Sequence, residues 1–564
     1  MSTELSIVPL GGLNEIGLNC MAVEYDNSIL VIDAGLMFPD ASTMPGVDLV
    51  IPDFSWITER AERVKGLVLT HGHEDHIGAV GYLMRELPPE VPVFGTRLTL
   101  AMTAEKLREW QAGSLNLVEI QPRQKVMAGP FELDFMRVNH SIPDGVAVAV
   151  NTPLGTIIHT GDFRIDPASS EERMDLYKFA EYGEKGILAL LADSTNADMP
   201  GTTTSEVVVR KTLEKLFANS AGRVIVACFA SSLVRIRQVA EAAKAAGRKV
   251  VFDGRGMVNI VKLAKSLGYL TIDDEDEADW AEAADLPDDK LVIVATGSQG
   301  EPMSALSRMA NGEHKKIAIQ EGDTVVFSAR FIPGHERDIS HLIDQFYRQG
   351  AKVMDGRRLK VHTSGHAQAE EIKLMLNLTR PKHFIPVHGE TSKLVRNGEL
   401  AMGLGWPAEQ VWVLENGLPL VFDENGSAYH GERVTCGRKL VDGNRLGEPE
   451  DPVLRSRLKL AGGGLVVVTV VLTDEGVLAA PPLAALSGVH YESDMDLTLE
   501  TEAVARRTVV SWRSEKEPGA GLDIESLSAM LQRDVRQLFR HSISRRPTVW
   551  PQIIVLEPAF TLAG

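Results

Sequence analysis

Cysteine is scarce: Cys20, Cys228 and Cys436 are the only three in 564 residues. Three widely spaced thiols give no disulfide framework, so the chain is read as folding without covalent staples in a reducing compartment. Long apolar runs are also lacking. The most apolar stretch, near Gly464 to Leu472, is too short to span a bilayer. Met1 to Leu10 has neither a basic start nor an extended apolar run, so no signal peptide is expected. Low-complexity tracts and internal repeats are absent, which excludes solenoids and fibres. Cations are outnumbered, with 58 Lys and Arg against 77 Asp and Glu, a net charge of -19. Such an acidic body argues against open binding to nucleic acid, because phosphate contacts need Lys and Arg. It leaves room for a nucleic-acid enzyme, since bound divalent ions and a basic channel can sit inside an acidic body. Arg235-Ile236-Arg237, Arg357-Arg358 and Arg545-Arg546 are the candidate channel clusters, although each alone reads first as solvated surface.

What is present concentrates in one stretch, Leu67 to Gly78, reading LVLTHGHEDHIG. Leu67-Val68-Leu69 predicts a buried strand, followed by a turn and a helix start at Ile77. His71, His73, Asp75 and His76 fall within six residues. Buried imidazoles each need a partner, so this set makes a poor core. It makes a good cage for zinc or manganese, whose borderline character suits His and Asp. The alternation His71-x-His73 can turn two rings toward one ion. Asp75 and His76, adjacent at a helix start, can face a second.

The length predicts two to four domains in a composition ordinary for a globular chain. Residues 1–205 alternate short strands with turns and helices, including Leu5 to Pro9, Met21 to Tyr25 and Ile29 to Ala34. The Gly11–Gly17 turn has the wrong spacing for a dinucleotide fingerprint, and no βαβ unit follows. Asp33, at a strand end, is a candidate to orient a ligand histidine. Phe131 to Val138 leads to His140, Thr156 to His159 leads to Asp162, and Ile187 to Ala192 leads to Asp193. Strand ends of one sheet share an edge, where α/β proteins place their sites. His140 and Asp162 are therefore expected to complete the metal shell. From 206 to 357 the pattern becomes regular α/β, predicting a separate parallel sheet. The Gly297-Ser298 turn there reads equally as a simple tight turn or as one offering backbone N–H groups to a phosphate; no Walker lysine follows, which argues against a nucleotide triphosphatase. Residues 358–430 resume the first style, with His362, His366 and His388 read at strand-to-turn junctions. Residues 431–455 read as a linker, and 456–564 as a small α+β module whose default role is oligomerisation.

The series His71, His73, Asp75, His76, His140, Asp162 and His388 resembles the metallo-β-lactamase superfamily. Asp193, the His366 segment and Pro386-Val387-His388-Gly389 resemble the three extra motifs of its β-CASP branch. In their order, VPLGGLNEIG, LVIDAG, THGHEDHIG, NHSIPD, HTGDF, ADSTN, ATGSQGEP, VHTSGHA and PVHGE are similar to motifs of the bacterial ribonuclease J family, strongly across about residues 5–430. The resemblance implies a metallo-β-lactamase αββα sandwich (1–205 plus 358–430) and an inserted β-CASP domain (206–357), with an α+β domain at the C-terminal end. It implies a cytoplasmic 5′-to-3′ exoribonuclease preferring a 5′-monophosphate end, with endonuclease action, serving messenger RNA decay and ribosomal RNA maturation. It also implies a homodimer or homotetramer, and RNA-degradation complex proteins are candidate partners.

Superfamily geometry assigns one ion to His71, His73 and His140 and a second to Asp75, His76 and His388, with Asp162 bridging. Zinc or manganese is expected, with magnesium as a further candidate. Asp75, Asp193 and His366 are the expected catalytic residues, with His366 as general acid or phosphate clamp oriented by Asp193. His362, Thr363, Ser364, Gly365 and His366 are expected to bind the terminal phosphate. The rival readings are a two-metal hydrolase of small molecules, a DNA-acting nuclease of the same branch, and a non-catalytic RNA-binding scaffold. The inserted domain disfavours the first, His388 in the third extra motif the second, and the complete donor set the third.

Overall fold

The structure is a computed structural model describing residues 4–40, 42–109, 115–168, 173–331, 335–443, 445–489, 496–515 and 521–556. The chain forms two units, Met1–Met37 with Val50–Arg438, and Phe38–Leu49 with Lys439–Gly564.

The first unit is built on three sheets. An eight-stranded sheet runs in the order Ala428–His430, Leu420–Phe422, Leu5–Gly11, Cys20–Tyr25, Ser28–Ile32, Val64–Val68, Pro92–Gly95 and Asn116–Glu119. A six-stranded sheet runs His383–Val387, Ala189–Asp193, Gly155–His159, Val146–Thr152, Phe131–Arg137 and Lys125–Ala128. One core joins the two sheets face to face, with Ile7, Val23, Leu30 and Val68 from the first against Leu133, Val148, Ile157 and Leu191 from the second. Burying each such side chain is worth about 1.5–3 kcal/mol. A second core packs the far face of the six-stranded sheet under the helices Leu176–Lys185, Ala369–Thr379 and Thr391–Gly403, through Phe179, Ile372, Met375 and Ala401. This is the αββα layering the resemblance implied.

The third sheet is inserted between two neighbours of the second. Ala189–Asp193 and His383–Val387 pair in parallel, Ala189 opposite His383 and Asp193 opposite Val387. Between them in sequence lies a five-stranded, all-parallel sheet in the order Lys249–Asp253, Leu291–Ala295, Val224–Ala227, Thr324–Phe327 and Lys352–Met354. Its strands are almost continuously apolar because both faces are covered. Val209, Leu213, Val239 and Val261 pack on one face, and Leu306, Met309, Ile339 and Phe346 on the other. Leu98 and Ile142 of the sandwich extend the first of these cores, which fastens the inserted domain to it.

In the second unit, Leu465–Leu472 lies between Leu483–Ser487 and Thr548–Val555. Its alternating burial turns Val466, Val468, Val470 and Leu472 onto the helix Ile524–Ile543, which answers with Leu527, Leu531, Val535 and Phe539 at helical spacing.

Local expectations differ from the structure at two places. The segment 431–455, read as a linker, holds the paired strands Arg438–Asp442 and Arg445–Gly447 and the start of the helix Pro452–Gly463. Buried Leu440 and Val441 are the apolar residues that order it, hidden among polar neighbours. Residues 361–366 form no strand; their backbone is tied instead by side chains, such as the Ser328 hydroxyl donating to Val361 O at 2.6 Å.

Candidate metal centre

Most elements that feed the site are strands arriving at one edge; the short helix Glu74–Ile77 carries Asp75 and His76. Ser28–Ile32 and Val64–Val68 are parallel neighbours, so Asp33 and Thr70 emerge side by side. Asp33 Oδ1 accepts from the Thr70 N–H at 2.8 Å, and Oδ2 accepts from the Thr70 hydroxyl at 2.9 Å and from His76 Nδ1–H at 2.7 Å. This fixes the His76 tautomer and leaves Nε2 directed into the site. Asp33 reaches this position in the left-handed region at φ 61°, a strained conformation for a non-glycine residue. Two residues on, a Cβ at Gly35 would stand 1.6 Å from the Asp75 carbonyl oxygen, so only glycine lets the chain pass the helix Glu74–Ile77.

The six-stranded sheet supplies the rest. Phe131–Arg137 leads to His140, Gly155–His159 to Asp162, Ala189–Asp193 ends in Asp193, and His383–Val387 leads to His388. His140 Nδ1–H donates to Gly365 O at 2.7 Å, leaving its Nε2 lone pair free for the centre. His388 is itself left-handed, at φ 58°.

Two donor quartets bring the expected ligands together, and a third overlaps them. His71, His73, His140 and Asp162 form one; Asp75, His76, Asp162 and His388 form the other; Asp162, Asp193, His366 and His388 make up the third. In the first, His73 Nδ1 lies 3.0 Å from His71 Nε2 and 3.1 Å from His140 Nε2. Asp162 is common to both, with Oδ2 at 3.7 Å from His71 Nε2, 3.7 Å from His140 Nε2 and 3.3 Å from His76 Nε2. His388 Nε2 stands 3.3 Å from Asp75 Oδ2 and 3.7 Å from Asp162 Oδ1. That Asp162 Oδ1 is buried and has no hydrogen-bond partner among the described residues.

The electrostatics divide the histidines. Burial pushes His73 down to about 4 and holds His71 and His140 well below the ordinary imidazole value. Those rings stay neutral, with lone pairs available. Burial opposes protonation of His76 and His388 as well, but the carboxylates of Asp162, Asp75, Asp33 and Asp193 outweigh it and raise both. Carboxylates this concentrated call for positive charge. Imidazole nitrogens at about 3 Å, a shared carboxylate and an orphaned carboxylate oxygen fit a pair of divalent cations.

Beside the quartets lies the turn His362–His366. His366 Nδ1–H donates to Asp193 Oδ2 at 2.8 Å, and the His366 and His388 rings stack at 5.4 Å. Burial lowers His366, but Asp193 and Asp162 more than compensate and raise it. A Cβ at Gly365 would stand 2.6 Å from His140 Cε1, so glycine there brings the turn against the quartet. Ser364 Oγ accepts from Asn196 Nδ2 at 2.8 Å, and Thr363 Oγ1 donates to Thr204 O at 2.6 Å.

The structure therefore gathers His71, His73, Asp75, His76, His140, Asp162, Asp193, His366 and His388 at one edge and sets His362–Gly365 beside it. Sequence reasoning missed the polar residues that hold them. Thr195 Oγ1 lies 2.7 Å from Asp193 Oδ1 and 2.7 Å from His388 Nδ1. Asn19 Nδ2 lies 3.0 Å from Asp75 O and 3.2 Å from His76 Nε2. Threonine and asparagine follow many strands, so nothing in their spacing marks these two.

Comparison with known proteins matches the whole arrangement. Residues 14–195 match the metallo-beta-lactamase superfamily, 221–346 the ribonuclease J beta-CASP domain, 354–409 the Zn-dependent metallo-hydrolase RNA specificity domain, and 452–556 the ribonuclease J C-terminal domain. Ribonuclease J of Synechocystis sp. is 40% identical over 562 residues, covering 98% of this chain and 86% of that one. Ribonuclease J of Thermus thermophilus is 39% identical over 559 residues, covering 98% and 95%. Ribonuclease J of Mycobacterium tuberculosis is 43% identical over 481 residues, covering 85% and 86%. A solved protein of unknown function from Enterococcus faecalis shares the fold, with a TM-score of 0.54 and 17% identity over 74% of this chain and 100% of that one. No helix among the described residues is long and apolar enough to cross a membrane. With its paired donor quartets, its inserted parallel sheet and relatives matching nearly end to end, the chain belongs to the ribonuclease J family of β-CASP metallo-hydrolases.

Proposed function

We propose that the chain is a 5′-to-3′ exoribonuclease with a preference for 5′-monophosphate ends, and with endonuclease action as well. The observation that carries this reading is the adjacency of the quartets sharing Asp162 to the His362–His366 turn. His71, His73, His140 and Asp162 would hold one cation, and Asp75, His76, His388 and Asp162 the other, with zinc or manganese favoured over magnesium by the His-rich set. When bound, such a pair screens the phosphodiester charge and supplies a nucleophilic water deprotonated near neutral pH.

The chain's own groups do the rest. Asp33 and Thr195 orient His76 and His388. The Ser364 hydroxyl and Gly365 N–H receive the terminal phosphate, which sets the scissile bond one nucleotide inward. Water oxygen bonds to phosphorus, the bond to the 3′-oxygen breaks, and His366, held by Asp193, gives that oxygen its proton. The products are a 5′-mononucleotide and a shortened RNA with a new 5′-phosphate, the substrate for the next cycle. This chemistry suits messenger RNA turnover and ribosomal RNA maturation in the cytoplasm.

In this reading residues 1–205 with 358–430 form the catalytic domain, 206–357 walls the RNA channel, and 456–564, after the 431–455 segment, joins copies into a dimer or tetramer able to recruit other RNA-degrading proteins. The test is time-resolved sizing of products from a 5′-labelled, 5′-monophosphate RNA. Label released at once as mononucleotide is expected. Release of label only in internal fragments, or cleavage indifferent to chelator, contradicts the proposal.

A further inference from the structure

The two ligand quartets that share Asp162 are braced from different parts of the chain. His76 and His388 are held by Asp33, Asn19 and Thr195, all outside residues 206–357. The quartet of His71, His73 and His140 is braced from the inserted domain. His140 rides on a short loop whose neck is closed by the Val138 N–H donating to Gly145 O at 3.0 Å. Within that loop Asp144 adopts the left-handed conformation at φ 65°. The Thr96 hydroxyl donates to its carbonyl oxygen at 3.0 Å, which ties the loop to the sandwich. Its carboxylate faces the other way, and Oδ2 accepts from the Tyr269 hydroxyl. Tyr269 belongs to the inserted domain, two residues past the helix Arg255–Leu267. A hydrogen bond to a carboxylate is among the stronger kinds, and this one joins the two domains at the loop that presents a ligand.

Apolar packing carries the same connection to the other two rings. Ile142, fully buried and two residues from His140, shares a core with Met257, Ile260 and Val261 of the inserted helix. Met102 packs against that core. Gly72, between His71 and His73, lies so close that an added Cβ would stand 2.7 Å from Met102 Sδ and 3.2 Å from Ile142 Cδ1. The seat of the inserted helix thus touches the turn that carries two ligands, while Tyr269 grips the loop that carries the third.

We propose that Tyr269 is a positioning residue for the cation held by His71, His73 and His140, so that the inserted domain helps to build one position of the metal pair and leaves the other to the sandwich. This rests on the two-cation reading of the quartets. Without the Tyr269 hydroxyl the Asp144 loop loses its outer tie, and the His140 ring with it. Asp33, Asn19 and Thr195 still hold the second position. By linkage, whatever seats the inserted domain tightens the first position, and a cation there seats the domain in return.

The test compares the full chain with Tyr269→Phe, which keeps the ring in its packing and removes only the hydroxyl. Crystals of each are equilibrated in graded manganese, and the anomalous peak heights at the two quartets give the affinity of each position. Tyr269→Phe should weaken the position among His71, His73 and His140 by about 2- to 30-fold and leave the position among Asp75, His76 and His388 unchanged. Asp144→Asn tolerates the same left-handed backbone and keeps an acceptor, so it should weaken the same position by less. In solution, manganese per chain measured by mass spectrometry after graded dialysis should show one of two binding constants shifted. Equal loss at both positions makes Tyr269 a general structural contact and overturns the inference, as does no loss at either. A wild-type chain that takes manganese at neither quartet overturns the two-cation reading, and this inference with it.

Discussion

Two sheet edges in the first unit pair aspartate with histidine just past a strand. At the six-stranded sheet, Asp162 and Asp193 meet His71, His76, His140, His366 and His388. At the parallel sheet, Asp253 ends its strand, accepts from Trp280 Nε1 at 3.0 Å with Oδ1, and pairs with His314 Nε2 at 2.9 Å with Oδ2. The second group is closed, since each carboxylate oxygen has one donor, Trp280 from the helix Trp280–Ala283 and His314 from a loop, and Lys316 lies over the Trp280 ring at 5.3 Å. The first is over-supplied with nitrogen donors, yet it leaves Asp162 Oδ1 without a hydrogen bond. The same residue types thus brace one edge and prepare the other for ions. Saturation, rather than composition, separates them.

The sharpest way to break this comparison is to remove one donor. His76→Ala should abolish RNA hydrolysis while cooperative unfolding persists, with metal content per chain, measured by mass spectrometry, dropping below wild type. Full RNA cleavage by the folded variant would erase the distinction between the edges. A paired substitution sharpens it further. Asp33→Asn, which loosens His76, should weaken metal affinity or activity by about 10–100-fold. Asp253→Asn should instead cost about 1–3 kcal/mol of stability through its impaired hydrogen bonds, with kcat/KM per folded molecule unchanged. A loss of activity there without a lower Tm would make the parallel-sheet edge a working site.

The smallest effect concerns His362. Its folded ring is held down to about 3, while an unfolded imidazole titrates near 6.5. Its stability contribution is therefore complete above about pH 6.5 and is lost as pH falls toward 3, because the unfolded ring takes a proton that the folded one refuses. His362→Gln should flatten the fall of unfolding free energy below pH 6.5 by up to about 1.4 kcal/mol per pH unit. Urea titrations at stepped pH measure this, and identical slopes would mean that burial does not hold the ring neutral.

The sequence was most legible where residue chemistry had no structural excuse. Three histidines and two acids between His71 and His76 cannot be a core, so the turn announced itself. His140, Asp162, Asp193 and His388 were readable because each follows a recognisable apolar run. The inserted sheet was readable because both its faces are buried, which leaves uninterrupted apolar strands such as Leu291–Ala295. Much of the support was not readable. Thr195 pairs with His388 at a separation of 193 residues, and Asn19 with His76 at 57, distances at which local patterns carry no information. Arg235 read first as solvated surface but is 1% exposed, because nothing in a local window predicts a buried guanidinium.

Anomalous diffraction from crystals grown with manganese tests the central claim most directly. The account predicts two peaks in each chain, one among His71, His73 and His140 and one among Asp75, His76 and His388, with Asp162 touching both. Peaks elsewhere, such as beside Asp253 and His314, or none within reach of Asp162, would contradict it.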